Sequence, residues 1–284
     1  MHERTAPWLL SAPALGLFAA ILVVPLVMTF LLSFYEFGFY TGIVPTFSLA
    51  NYADVLTDEY FHEIFGRTFA IAFATTALAA LIGTPEAYIL YRMPSRWRSI
   101  LLLIVIGPLL ISVVVRTLGW SILLGNQGVI NNALAGIGLI EEPIKMLYTS
   151  GGIVVALVHV LVPFMIIAVW AALARQDPAT ERAAAALGAS QTTIFFRIVI
   201  PQAMPGILSG SLIVFSLAAS AFATPAILGG RRVKVVSTTV YDEFLNTLNW
   251  PLGAAIAMLL LVAMLLVLVS YNRFVERRYA QVFG

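Results

Sequence analysis

The sequence predicts an all-α membrane protein that crosses the bilayer six times. Three observations carry that expectation. Of its 284 residues, 61% are hydrophobic and only 11% are charged, with a mean hydropathy of +0.96. A soluble domain carries about a quarter charged residues, so this chain has too few to cover a globular surface. The apolar residues also gather in long runs separated by short polar joints, and each run is of a length to cross about 30 Å of hydrocarbon as a helix. The length suits one polytopic domain, residues 1–284.

The first run, 8–34, holds no charge and is preceded by Glu3 and Arg4. It is longer than the apolar core of a cleaved leader, so it reads as a retained first span, kinked at Pro13 and Pro25. Residues 35–66 carry Glu36, Asp54, Asp58, Glu59 and Glu63 and no basic residue, and 51–65 reads as a short helix on the membrane surface. The second span is 67–91, with Glu86 inside its apolar segment. An arginine-rich joint, 92–98, leads to the third span, 99–115, interrupted by Gly107-Pro108. The joint 116–148 contains a short re-entrant or surface helix at 129–140. The fourth span is 151–172 with a kink at Pro163, the fifth is 203–229 and the sixth is 251–272.

With the termini inside, ten Lys and Arg fall on the cytoplasmic side and six outside. The short 92–98 joint and the tail with Arg273, Arg277 and Arg278 weigh most, because basic residues close to span ends set orientation. The acids run the other way, with Asp242, Glu243, Glu141 and Glu142 among the outer ones. Both termini and the 174–202 loop are therefore expected in the cytoplasm.

That loop breaks the apolar habit of the chain. Pro178 sits where a first helical turn tolerates proline, and Ala183 to Ala186 is a run of the strongest helix former. Gly188 ends or bends this helix, and Ser190 caps a second one that runs through Ile194, Phe195, Ile198 and Val199 until Pro201 stops it. Two short helices joined at a glycine, between two spans, suit a surface gripped by another protein.

Several chemistries are absent. The chain has no cysteine, and His2, His62 and His159 have no carboxylate or histidine at metal-ligand spacing. No phosphate-binding P-loop pattern and no catalytic triad or carboxylate pair stands out, so the chain is expected to be non-catalytic, with no cofactor of its own. His159, inside a span, is expected to face the bundle interior. Glu86 reads either as an interface carboxylate or as a cation-attracting group on a translocation path. Arg116 and Trp120 read as interface anchors, with Trp120, Phe222, Tyr241, Asp242 and Glu243 joining Glu86 as path candidates. Gly206 and Gly210, at GxxxG spacing in a run of small residues, allow close helix approach inside the subunit or between subunits.

Ala183-Ala184, Leu187-Gly188-Ala189-Ser190 and Ile200-Pro201 resemble the EAA loop of binding-protein-dependent ABC importer permeases. Asn51-Tyr52, Gly107-Pro108 with Arg116, Gly128 with Asn131-Asn132, Phe222 with Thr224-Pro225, Leu228-Gly229-Gly230 and Asn249 to Ala254 resemble the spermidine/putrescine-type branch, from the first span to the last. One departure stands out: Arg182 occupies the family's glutamate position, and Glu181 lies one place earlier, about 100° around a helix. The resemblance implies a multi-pass subunit of the bacterial inner membrane, working with a second permease subunit, two ATPase subunits that bind ATP and magnesium, and an external solute-binding protein. It implies that Glu181, Arg182, Ala183, Ala184, Leu187, Gly188, Ala189, Ser190 and Pro201 belong to the ATPase-coupling loop. It implies a polyamine or related organic cation as substrate. The same machine importing a phosphonate, an opine or an iron chelate is the alternative, and an ATP-independent secondary carrier a further one.

Overall fold

Small residues decide how closely the fourth and fifth spans approach. A Cβ at Gly206 would lie 2.6 Å from the Ala168 carbonyl oxygen and 2.7 Å from Val169 Cα, and one at Gly210 would lie 2.8 Å from Met165 Sδ. The glycine pair thus packs inside the subunit, joining helix α10 (Ile200–Ala219) to helix α7 (Ser150–Leu173). The computed structural model describes the backbone of residues 6–283 and the side chains of residues 12–273. The terminal charges Glu3, Arg4, Glu276, Arg277 and Arg278 lie outside the described side chains.

Among the described residues, five helices are long and apolar enough to cross a membrane, and a bent pair brings the number to six. They are α1 (Ala6–Leu32), α3 (Glu59–Arg92), α7, the run Gln191–Ala219, and α13 (Trp250–Phe283). The bent pair is α4 (Ser95–Ile106), extended by a 3-10 turn at Gly107–Leu110, and α5 (Val113–Leu123), set at 93°. The expected interruption at Gly107-Pro108 is therefore a sharp bend. Pro108 opens the 3-10 turn and Ile111 leaves it in extended backbone, so hydrogen bonding cannot pass from one helix to the next.

The chain falls into two compact units. In one, residues 1–63 with 239–263, α1 ends against α2 (Ala50–Thr57). Asn51 Nδ2 donates to the carbonyls of Ser33 and Tyr35 at 3.0 and 2.9 Å, while the Tyr52 hydroxyl lies 2.6 Å from the buried Ser33 Oγ. A two-stranded hairpin, β1 (Glu36–Gly38) and β2 (Gly42–Val44), lies between them in sequence. The surface helix expected over 51–65 is instead split. Asp58 leaves the helical conformation, its carboxylate accepts from the Tyr60 N–H at 2.8 Å, and α3 starts at Glu59. The stretch between the fifth and sixth spans contains α12 (Val236–Leu245), and Gly253 lets the start of α13 lie close against Phe244.

The second unit, 64–238 with 264–284, is built on α3, α7 and α10. Its core includes Leu90, Leu157, Met165, Ile166, Leu173 and Val214. The α5 helix packs on α11 (Ala223–Gly229), where Thr117 and Thr224 hydroxyls meet at 3.2 Å. Buried Asn131, on α6 (Val129–Gly136), pins the following loop through bonds to Gly125 and to both backbone groups of Ile144. By contrast α1 is exposed along the described part of its span, which lipid or another chain can cover at no cost to its apolar side chains.

Candidate functional site

The expected coupling loop is assembled from local turn chemistry. Asp177 Oδ1 accepts from the Ala179 N–H at 2.8 Å, and α8 (Ala179–Ala186) starts directly after Pro178. The helix ends in a Schellman turn, with Ala189 N–H donating to the Ala184 carbonyl at 3.1 Å and Gly188 N–H to that of Ala185 at 3.0 Å. Gly188 has φ +85°, a conformation costing roughly 1–2 kcal/mol for a residue with a side chain. Ser190 Oγ then caps α9 (Gln191–Ile194) by accepting from the Thr193 N–H at 3.2 Å.

Pro201 does not stop this helix. From Phe195 to Val199 the chain makes a π turn, and the helix continues as α10 through Pro201 and Pro205. The Ile200 N–H reaches back to the Phe195 carbonyl, five residues away. Proline lacks the N–H that would bond the Arg197 carbonyl, and its ring would collide with that carbonyl in an α-turn. The wider π turn removes the conflict. The loop and the fifth span are therefore one interrupted helix, Gln191–Ala219.

Burial divides the loop into two faces. Arg182, Ala183, Leu187, Gly188 and Ser190 are exposed, Leu187 at 90%, with Phe196 and Arg197 beside them. Ala184 and Ala189 pack inward on the core, and Ile194 and Val199 are buried in it. Glu181 is turned inward and is 7% exposed. The Tyr88 hydroxyl donates to Glu181 Oε2 at 2.8 Å, with Arg92 Nε 4.0 Å from the same oxygen. The carboxylate one place before the usual position thus finds its donors on the last turns of α3, while Arg182 in that position points to solvent.

Within the second unit the path candidates do not form one cluster. Glu86 is exposed near the end of α3, about 9 Å along the helix from Arg92. Trp120 Nε1 donates to His159 Nδ1 at 3.1 Å, on the packed group of α5 and α7. His159 itself is exposed in this subunit, contrary to the interior position expected for it. Arg116, expected as an interface anchor, is half-buried, and its Nε and Nη1 are enclosed without a hydrogen-bond partner. Phe222 precedes α11 and is 39% exposed. Gly83 packs on Met165 and Ile166, so Glu86 lies about 15 Å along the bundle from the His159 level.

Tyr241, Asp242 and Glu243 belong to the other unit. There Asp242 Oδ1 accepts from Asn246 Nδ2 at 2.7 Å and Glu243 Oε2 from the Thr247 hydroxyl at 2.6 Å, closing the end of α12. Tyr241 is 45% exposed. Sequence reasoning missed the partners of Glu181, since nothing local marks Tyr88 and Arg92. Their one sequence signal is i, i+4 spacing at the end of a span.

Comparison with known proteins decides the family. The chain is 34% identical over 227 residues to the spermidine/putrescine transport system permease protein PotB of Salmonella typhimurium, covering 80% of this chain and 79% of the relative. The chain belongs to the ABC importer permeases of the spermidine/putrescine type. It is also 33% identical to PotB of Escherichia coli over 227 residues, covering 80% of this chain and 82% of the relative. With the Escherichia coli inner membrane ABC transporter permease protein YdcU it shares 31% over 259 residues, 86% of this chain and 80% of the relative. No protein-family model matches the chain. A chain of the bacterial ABC transporter that imports the acidic polysaccharide alginate shares the fold with a TM-score of 0.79 at 21% identity, covering 97% of this permease and 96% of that chain. A chain of the methionine transporter MetNI shares it less closely, with a TM-score of 0.56 at 19% identity over 78% of this permease and 99% of that chain. The permease is a multi-pass protein of the bacterial inner membrane, of a family whose permease subunits are non-catalytic.

Proposed function

We propose that this permease is the transmembrane subunit of an ATP-driven importer and forms, with a second and different permease subunit, the path for a polyamine or related small organic cation. The observation that carries the substrate class is the similarity to PotB across four-fifths of the chain. Two ATPase subunits bind and hydrolyse ATP with magnesium, and an external solute-binding protein delivers the substrate. The loop from Asp177 to Pro201 and both termini face the cytoplasm.

The exposed face of that loop is the coupling surface. Leu187 and Phe196 offer apolar contact, Arg182 and Arg197 flank them, and the Gly188 turn sets the angle between α8 and α9. Pro201 belongs to the machinery through the π turn that joins this surface to α10. ATP closes the ATPase pair and moves the loop, and the spans rock from inward-open to outward-open. Glu86 and Trp120 with Phe222 then act at two levels of the path, a carboxylate toward the inner end and aromatic faces toward the outer. Tyr241, Asp242 and Glu243 are proposed to stand outside, where their acids attract cations.

Proteoliposomes holding the complete complex test this. Labelled putrescine should accumulate only with the solute-binding protein outside and ATP inside. Uptake without ATPase subunits would overturn the importer reading. A second reading, the same importer for a solute with an acidic group such as an opine or a phosphonate, is favoured by the unpartnered nitrogens of Arg116. Competition of unlabelled solutes in the same assay separates the two.

A further inference from the structure

Glu181 is the one charged side chain that is buried among the described residues. It stands in the first turn of α8, so its partners decide what that helix is fastened to. Both partners lie on α3, four residues apart and therefore on one face. Tyr88 donates to the carboxylate at 2.8 Å. Arg92 reaches toward the same oxygen, and its Nη1 donates to the Tyr88 hydroxyl and to Gln191 Oε1, both at 3.0 Å. The guanidinium carbon lies 5.5 Å from the centre of the Tyr88 ring, and the Phe195 ring packs against Tyr88 with centroids 5.4 Å apart. One turn of α3 thus holds α8, the first residue of α9, and the π turn.

Extending the coupling role proposed above, on which this inference rests, we propose that Tyr88 and Arg92 are positioning residues that latch both short helices to α3. At the crest of the bend itself nothing lies within 4 Å of a Cβ built at Gly188, so apart from the inward contacts of Ala184 and Ala189 the bend is held through α8 and α9. Beyond the latch, the Thr180 hydroxyl accepts from Gln202 Nε2 at 3.1 Å, which ties α8 to the next span. With the latch in place, a push on the loop moves α3. That helix is continuous from the latch to Thr68, whose hydroxyl accepts from the Val236 N–H at 2.9 Å, and to Arg67, which donates to the Lys234 carbonyl at 3.1 Å. Displacement at the loop is carried along about 38 Å of helix to the segment that leads into α12. An EAA-type loop is thereby fastened to the second span as well as to the fifth.

The chain has no cysteine, so pairs of introduced cysteines report on it directly. Spin labels at Leu78→Cys and Ala186→Cys, both exposed, measure the α3-to-α8 distance in the complete complex. The latch requires that distance to stay the same between nucleotide-free and ATP-bound states. In Tyr88→Phe or Glu181→Gln it should shift or broaden on ATP binding by roughly a helical turn, about 5 Å. Combining the two substitutions should add nothing to either alone. Arg92→Lys, which keeps the charge, should broaden it less than Arg92→Gln. A distance that changes with ATP in the unsubstituted chain overturns the latch, as does one that the substitutions leave constant. Tyr88→Phe removes one hydroxyl and keeps the ring, so it carries the test where Glu181→Gln fails to assemble. A label at Leu187→Cys tests the underlying coupling role separately. If adding the ATPase subunits leaves that label as mobile as before, the coupling role fails, whatever the α3-to-α8 distance does.

Discussion

At Gly206 a single missing side chain sets how closely α10 approaches α7. A methyl group there would sit within 2.8 Å of three atoms of α7, two of them backbone, so the neighbour cannot yield by turning a rotamer. Gly206→Ala is expected to destabilise the permease by about 1–3 kcal/mol through overpacking, read as a lower melting temperature in detergent. Gly16→Ala is the control, since nothing lies within 4 Å of that position, and it should melt no lower than the unsubstituted protein. The glycine spacing was legible in the sequence, but the choice between a contact inside the subunit and one between subunits was not. Spacing alone cannot say which helix arrives. Residue identity was likewise blind to the partners of Glu181, because Tyr88 and Arg92 lie 93 and 89 positions away in the chain.

Among the elements, the proline-rich start of the fifth span behaves least as local rules suggest. Asp177, Gly188 and Ser190 act through neighbours within five residues, and their roles could be read before any fold was known. Pro201 could not, because a proline that ends an isolated helix is tolerated when the preceding turn widens and tertiary packing holds the continuation. Buried Ile194, Val199 and Ala203 supply that packing. Pro201→Ala should let Arg197 accept an ordinary helical bond and let the π turn tighten, rotating α9 by about 100° relative to α10. The expected result is retained ATP hydrolysis with uptake per ATP reduced by about tenfold, equivalent to roughly 1.4 kcal/mol of lost interaction. A ratio unchanged by Pro201→Ala would show that the π turn is dispensable for coupling. The third span teaches the same lesson. Gly107-Pro108 marked an interruption, yet the 93° between its halves depends on where α5 packs against α11 and α7, which no window of sequence contains.

For the whole molecule, composition and run length were enough to indicate an all-helical, polytopic chain, because bilayer thickness imposes its own period. The extent of α1's exposure was not accessible in this way, since an apolar run looks the same whether it faces protein or lipid. The proposed orientation follows from the charge distribution. The natural absence of cysteine allows a direct check, in which Ala186→Cys should react with an impermeant maleimide only in inverted vesicles and Glu142→Cys only in intact cells. The reverse pattern would turn the proposed topology over. An ATPase subunit is proposed to grip the exposed face around Gly188. A photo-crosslinking residue in place of Leu187, 90% exposed at the crest of the loop, tests it most directly in membranes holding the complete complex. The expected result is a crosslinked product joining this permease to the ATPase subunit, with a yield that changes when ATP is added. A complex that transports normally while Leu187 crosslinks only to lipid, or to no ATPase subunit at all, would contradict it.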